Sequence, residues 1–508
     1  MKTRLRKKLA ARKRQILRRL DKTKLPDCSQ PVFRGSNIRF DLCDRTSGIG
    51  FGGIPLFHKL AKDIGLVAAI DKRLHLLQIH LPYHDSDHVL NLAFNPLCNG
   101  DCLQDIELRR NDAHFLDALG ADRIPDPTTA GDFCRRFAVE DINLLQDIYD
   151  DVRIGLWQQQ PACFVHKAVL DVDGTLTETT GECKQGMDIA YDGTWGYHPL
   201  VVTLANTREV LRLVNRSGNR PSHEGAADAL DRAMATCFRG GFRRVLMRGD
   251  TDFSQTQHLD RWDNDKRIQF IFGYDCTDSM RARAEHLPAS AWTKLTRPPR
   301  YEVATEPRQR PDNVKDAIVV ERGFEKLRLK GEEVAEFNYQ PTACEREYRM
   351  VVIRKNISKE QGGVWLYDAY RYFFYITNDW VSDAADIVFL ANGRCHQENL
   401  LEQLHNGVHA LSTPLKTLES NWAYMVMTAL AWNLKAWSAL RLPETGRWAE
   451  KYKAEKVWLL GLEFKAFVNA LVAVPCQIVR QGRQTVFRVL SYHVHLPTFF
   501  RLAHTLRC

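Results

Sequence analysis

Between residues 55 and 160 apolar side chains recur at three- and four-residue intervals, the period of an amphipathic helix. On this ground Ile54–Leu77, Asp87–Phe94, Asp101–Leu119 and Thr129–Val152 each predict a helix. Pro125-Asp126-Pro127-Thr128-Thr129 reads as a turn followed by a hydroxyl N-cap. The period changes at His166. Lys167–Asp173 is a short apolar run that closes on carboxylates, and Arg244–Asp250 is another that ends in an acid. Pro199–Ala205 and Glu209–Asn215 predict two strands joined by a short turn, and Ile268–Tyr274 a fifth. Ser222–Phe238 is an amphipathic helix with Ser222 as its cap.

Beyond about Thr277 the helical period fades as far as Asp368. Pro298-Pro299, Pro307 and Pro311 mark loops, while Tyr348–Arg354 and Val364–Tyr367 suggest strands. Tyr372–Thr377 is a strongly apolar strand that returns to the core, after which Ser382–Leu411 and Ser420–Leu440 predict long helices. From Trp448 onward helix and strand signals mix, with basic residues at Arg480, Arg483, Arg488 and Arg501. No internal repeat is found. The pattern predicts an α/β core in which two acids emerge at strand ends, within a 508-residue chain long enough for two to four domains.

Composition narrows the class. Hydrophobic content of 44% and charged content of 26% are those of a globular protein. No apolar run reaches the ~18 residues of a membrane helix. The nearest, Trp422–Trp432, is cut off by Asn433 and Lys435. The N-terminus lacks the apolar stretch of a secretory signal. The 13 cysteines have no framework spacing, and the Cys98/Cys102 pair has no second pair to complete a zinc site. They read as reduced thiols of a cytoplasmic protein.

The net charge of +9 is concentrated at one end. Residues 1–24 hold twelve Lys or Arg against a single acid, Asp21, so the rest of the chain is slightly acidic. Arg4, Arg6, Lys7, Lys8, Arg12, Lys13, Arg14, Arg18 and Arg19 are the candidate contacts of this basic arm to a polyanion such as DNA. The helices behind it suit either a helix-turn-helix-like DNA-binding unit or a plain bundle.

The chemistry rests on three acids. Asp173 and Asp250 close two strands of one predicted core, and Glu398 lies on a predicted helix. Arg394, Glu398, Glu402, His405 and His409 follow one polar stripe of that helix, opposite Leu400, Leu404, Val408 and Leu411. Converging carboxylates repel unless cations lie between them, and all-oxygen sites suit Mg²⁺ or Mn²⁺. Two such ions, about 3.5–4 Å apart, can activate a water or a 3′-hydroxyl and stabilise the leaving oxygen of a phosphodiester.

Leu170-Asp171-Val172-Asp173-Gly174-Thr175, Val245–Asp250 and Arg394-x-x-x-Glu398 together resemble the three motifs of DDE transposases from bacterial insertion sequences. The resemblance spans about residues 165–440. It implies an RNase H-like catalytic core interrupted by a β-rich insertion and preceded by a helical N-terminal region. It selects Asp173 over Asp171, because the first acid of those enzymes often precedes a small residue and Thr. It further implies metal-dependent cleavage at element ends and strand transfer, with two Mg²⁺ ions (Mn²⁺ as substitute). The implied partners are double-stranded DNA at terminal inverted repeats and at the target, with a homodimer on DNA in a bacterial, nucleoid-associated setting. One subgroup carries Y-x(2)-R-x(3)-E-x(6)-K around its Glu; here Ala391 and His405 stand at the Tyr and Lys positions. Glu402, one turn on, is the substitute for Glu398.

Two other classes share part of this pattern. Asp171-Val172-Asp173-Gly174-Thr175 also resembles the first motif of haloacid-dehalogenase-type phosphatases, in which Asp171 would be the nucleophile. That reading lacks a Lys between Lys184 and Lys266 and a second acid after Asp250 at the usual interval. A catalytically silent DNA-binding protein would not need all three acids. Glu402-x-x-His405 has di-iron spacing without a second copy, and Trp195 and Trp380 lie in turn-like segments suited to stacking on an unpaired base. The expected division is a basic arm (1–24), a DNA-end-binding helical region (25–160), a first core part (165–276), the insertion (277–375), a second core part with the catalytic helix (376–440) and a mixed C-terminal region (441–508).

Overall fold

The apolar run Ala168–Gly174 forms β1, a strand buried along most of its length. It pairs with β2 (Leu200–Leu204), which turns back into β3 (Glu209–Val214), both antiparallel. On its other side β1 pairs in parallel with β4 (Val245–Gly249), and β4 in parallel with β5 (Ile268–Tyr274). The resulting order 3-2-1-4-5 is the RNase H-like arrangement expected from the resemblance. Strands covered on both faces read as continuous apolar runs, which is why β1, β4 and β5 were legible in the sequence. The structure, a computed structural model, describes residues 3–21, 46–78, 82–297, 314–323, 325–361, 364–482 and 484–506. Pro298-Pro299, Pro307, Pro311 and Arg483 lie outside the described residues, as do Lys22 and Lys24 of the arm.

The insertion continues the same sheet. Short β6 (Thr293–Lys294) is followed by β7 (Glu325–Tyr339), β8 (Tyr348–Gln361) and β9 (Val364–Thr377), an antiparallel array. Phe374–Thr377 of β9 pairs with Ile271–Tyr274 of β5, so nine strands share one sheet. These strands are longer than the apolar stretches that announced them. Met350–Ile353, Phe374 and Ile376 are buried near the core, whereas the outer halves carry exposed Trp365 and Tyr367 among charged residues. β7 alternates apolar and polar residues over Ala335–Tyr339, but Glu332 and Glu333 interrupt its apolar positions, and it is not among the predicted strands.

Edge strand β3 is closed by helices. Its outward backbone groups would be either an open template or buried and unpaired. Instead Asn433, on the helix Leu418–Leu440, which is buried from Ser420 onward, accepts from Val210 N–H at 2.9 Å and donates to the Val210 carbonyl at 3.0 Å. Gln146, on helix Val139–Trp157, accepts from Leu213 N–H at 2.9 Å, and the Trp422 indole donates to the Leu213 carbonyl at 2.5 Å. Buried Glu209 accepts from the indoles of Trp157 and Trp437 at 2.9 and 2.8 Å. The N-terminal helices therefore pack into one continuous apolar core with the sheet.

Local chemistry moves several predicted boundaries. Asp126, and not a hydroxyl, caps the helix Pro127–Cys134: it accepts from Thr129 N–H at 2.9 Å, with Pro127 in the first turn. The segment Ser382–Leu411 is three pieces, Ala384–Asn392, Cys395–Glu402 and a π-helical turn Gln403–Gly407. The first break falls at Gly393, where any Cβ would run into Nη1 of Arg248. The basic arm is a helix, Thr3–Arg19, with Leu9 buried and the Arg12 guanidinium donating to the Val489 carbonyl at 3.0 Å. No helix among the described residues is long and apolar enough to cross a membrane.

Candidate active site

Alternate residues of a strand share a face, so Asp171 and Asp173 both point from β1 toward the helices Ala384–Asn392 and Cys395–Glu402. Their environments differ. Asp171 is buried, and Arg248, its register partner on β4, meets both of its oxygens, Nε at 2.6 Å and Nη2 at 2.8 Å. The same guanidinium donates to the Leu390 carbonyl at 2.7 Å. A carboxylate engaged on both oxygens is not free to attack phosphorus, which removes the geometric basis for a phosphatase nucleophile. The pair instead clamps β1, β4 and the helix above them.

Asp250 follows β4 directly and caps the turn Thr251–Phe253, accepting from Asp252 N–H at 3.1 Å. The backbone there lies against Gly273 of β5: a Cβ on Gly273 would come within 2.7 Å of Thr251 N and 2.9 Å of the Asp250 carbonyl carbon. Only a glycine admits that approach, so Gly273 fixes where the second acid emerges.

Glu398 is supplied by the helix Cys395–Glu402, which Gln397 ties to the sheet. The buried Gln397 amide donates to the carbonyls of Asp171 at 3.2 Å and Val201 at 3.0 Å. One turn before Glu398, Arg394 reaches all three acids. Its Nη1 lies 2.9 Å from Asp173 Oδ2 and 3.9 Å from Asp250 Oδ2, and its Nη2 lies 3.8 Å from Glu398 Oε1. The acid side chains grade from 14% exposed at Asp173 through 35% at Asp250 to 60% at Glu398. The centre is therefore closed at the sheet and open toward solvent at the helix.

Burial pushes the Asp173 carboxyl up to about 7; Arg394 opposes the rise, and Asp250 and Glu398 add to it. Asp250 is also raised, chiefly by burial, with Arg394 opposing and Asp252 adding. Among the described residues these acids crowd one another around the guanidinium of Arg394. An all-oxygen donor set with that charge deficit fits hard divalent cations. Among the described residues no His, Cys, Asp and Glu side chains form a closed cage of three or more ligands, and Arg394 stands between the acids that would form one.

The rest of the predicted stripe disperses. Glu402 accepts from Gln403 at 2.7 Å and Asn406 at 3.4 Å, and Arg394 pairs with Glu398 instead. His405, in the π turn, meets the Thr175 hydroxyl at 3.0 Å, and burial holds its pKa below the ordinary value. His409 adopts a positive φ of 54° and lies 3.2 Å from Asp101. Arg4, Arg6, Lys7, Lys8, Arg12, Lys13, Arg14, Arg18 and Arg19 are exposed on the arm helix and are not among the groups contacting the acids. Trp195 and Trp380 are half-exposed.

Arg248, Gly273, Gly393 and Gln397 were missed in the sequence. Arg248 directly precedes Gly249-Asp250, and a basic residue inside an apolar strand was the one available signal of a buried partner.

Residues 47–508 match the family model described as transposase DDE domain group 1. Comparison with curated proteins finds no match. Among solved structures, a cryo-EM piggyBac transposase synaptic complex with hairpin DNA aligns with a TM-score of 0.37 and 10% identity, over 84% of this chain and 84% of that one.

Proposed function

Since this chain belongs to the transposase DDE domain group 1 family, we propose that Asp173, Asp250 and Glu398 are its catalytic acids. The protein is a transposase, an enzyme of DNA cleavage and strand transfer. The observation that supports the assignment is the meeting of these three acids, from two strand ends and one helix, around the guanidinium of Arg394.

The three acids are the residues that would hold two Mg²⁺ ions, with Mn²⁺ as a substitute. Bound there, the ions supply activation of the attacking hydroxyl and stabilisation of the leaving oxygen of the phosphodiester. Asp173 contributes the least exposed carboxylate, from a residue whose backbone is paired with Val201 of β2. Asp250 keeps Oδ1 on the Asp252 amide and presents Oδ2 to the centre. Glu398 is the exposed member, able to change rotamer as DNA arrives. Arg394 orients the acids in the free protein and contacts a DNA phosphate in the complex.

The helical region 25–160 and the basic arm, residues 1–24, grip the terminal inverted repeats, and residues 441–508 support the arm. Residues 165–276 and 376–440 form the two parts of the core, and 277–375 the insertion. The active species is a homodimer on DNA, in the cytoplasm at the nucleoid.

Supercoiled DNA carrying the gene with its native flanks tests the assignment. Wild-type protein with Mg²⁺ should cut at inverted repeats outside the gene, and Asp250→Asn and Glu398→Gln should not. Undiminished cutting by Asp250→Asn would sink the site. Cutting that survives in Glu398→Gln alone would transfer the third role to Glu402.

A further inference from the structure

A guanidinium cannot shed its charge at any accessible pH. Arg394 therefore presents a permanent positive charge to Asp173, Asp250 and Glu398 at 2.9, 3.9 and 3.8 Å. A divalent cation bound by the same oxygens would face that charge at close range, inside a cluster whose innermost member is largely shielded from water. Like charges so placed repel strongly, because solvent screening is weak there. The side chain and the metal compete for one set of oxygens.

Arg394 has a way out. It is the N-cap residue of the helix Cys395–Glu402, just after the break at Gly393, and its side chain remains 19% exposed. Its distant partners are the solvent-facing ones, Asp250 and Glu398. What would draw it away is an anion of matching shape, and a DNA phosphate is a bidentate partner for a guanidinium.

We propose that Arg394 is an exchangeable counter-ion, holding the three acids together in the free protein and moving to a DNA phosphate when the substrate docks, so that metal is taken up with DNA and not before it. The inference rests on the assignment of Asp173, Asp250 and Glu398 as metal ligands. Linkage makes the effect reciprocal: DNA raises the affinity for metal by the factor by which metal raises the affinity for DNA. A transposase built this way withholds metal-dependent phosphodiester chemistry until its DNA is in place.

Mn²⁺ binding to the full-length protein, followed by the loss of the free-ion EPR signal, tests this directly. The set comprises wild type, Arg394→Gln, Arg394→Lys and Asp250→Asn, with and without a duplex taken from the element's own end. Wild type should bind Mn²⁺ at least about fivefold more tightly with DNA than without it, the lower end of ordinary coupling. Arg394→Gln should bind Mn²⁺ without DNA more tightly than wild type by a similar factor, and gain less from DNA. Arg394→Lys, which keeps the charge, should stay near wild type. Equal Mn²⁺ affinity of wild type with and without DNA would overturn the proposal, a readout that needs no variant to fold. So would Arg394→Gln that binds no more tightly than wild type. In either case, weakened binding by Asp250→Asn would leave the metal-site assignment standing. Asp250→Asn that binds Mn²⁺ as well as wild type would bring down that assignment and the proposal with it.

Discussion

Nη1 of Arg394 lies 2.9 Å from Oδ2 of Asp173 although 221 positions separate the two residues in sequence. The contact joins the N-terminus of the helix Cys395–Glu402 to the first core strand, at the point where the other two acids converge. If that centre carries the chemistry, the amide variants Asp173→Asn, Asp250→Asn and Glu398→Gln should each lose more cleavage than the ~10–100-fold typical of residues that only support a metal ligand. Binding of end DNA, measured by gel shift, should stay near wild type. Glu402→Gln should cleave normally, since its carboxylate is turned to Gln403 and Asn406. Normal cleavage by Asp173→Asn would remove the first strand from the mechanism.

The Asp171–Arg248 pair predicts a stability effect with a distinctive sign pattern. Removing one partner strands a buried charge, a cost of about 3–5 kcal/mol, whereas replacing both with apolar groups is often close to neutral. Arg248→Met should therefore lower stability in urea by that amount, and the double variant Asp171→Leu/Arg248→Met should recover most of it. Additive losses in the double variant would show that the two side chains are not coupled.

Gly273→Ala should act on Asp250 from the neighbouring strand. The new Cβ would sit 2.7 Å from Thr251 N and 2.9 Å from the Asp250 carbonyl carbon, neither of which can rotate away. Overpacking of this kind costs typically ~1–3 kcal/mol. Because the displaced backbone carries the second acid, cleavage should fall further than the loss in thermal stability alone explains. A variant with wild-type cleavage would mean that the turn yields without moving the carboxylate.

How much of this was open to sequence reading follows from the physics of each element. Asp173 and Asp250 stand out because each closes a largely apolar strand, interrupted only by Asp171 in β1 and by Arg248 in β4. Glu398 showed as part of a helical polar stripe. The periodicity predicts one continuous stripe through Glu402 to His409, but the break at Gly393 and the π turn from Gln403 depend on tertiary contacts. The Gly393 break answers to a guanidinium from β4, 145 positions earlier in the chain and invisible to local periodicity. β7 is harder to read because its apolar alternation covers only Ala335–Tyr339, while Glu332 and Glu333 place charge on both faces just before it. The resemblance supplied the choice between Asp171 and Asp173; strand alternation puts both on one face, and only the partner of Asp171 separates their roles.

The pH dependence of the metal-free protein should carry the signature of Asp173. Burial pushes its carboxyl from the ordinary 3.8 up to about 7 in the fold. Between those values the folded chain holds a proton that the unfolded chain has released. The stabilisation is complete below about pH 4 and is lost as pH rises through about 7. Thermal melts in a chelator should show Asp173→Asn gaining on wild type from about pH 5 to about pH 8, by ~1–4 kcal/mol. A constant difference across that range would mean that the carboxyl is ionised throughout.

The arm makes a prediction about salt. Each phosphate neutralised by a Lys or Arg contributes about −0.9 to the slope of log K against log salt for duplex DNA. The arm helix keeps Arg4, Lys7, Lys8 and Arg14 exposed, while Leu9 anchors it and Arg12 is held by the Val489 carbonyl. Replacing those four exposed residues with Gln removes charge without touching the anchor, so the helix should stay docked. The slope for end DNA should then become shallower by up to about 3–4, and affinity at low salt should fall more than affinity at high salt. The variant's melting temperature should not change, since solvated side chains of one sign contribute little to the fold. If the slope is unaltered, the arm's charge serves something other than the phosphate backbone, and the grip on the element ends must come from the helical region and the core alone.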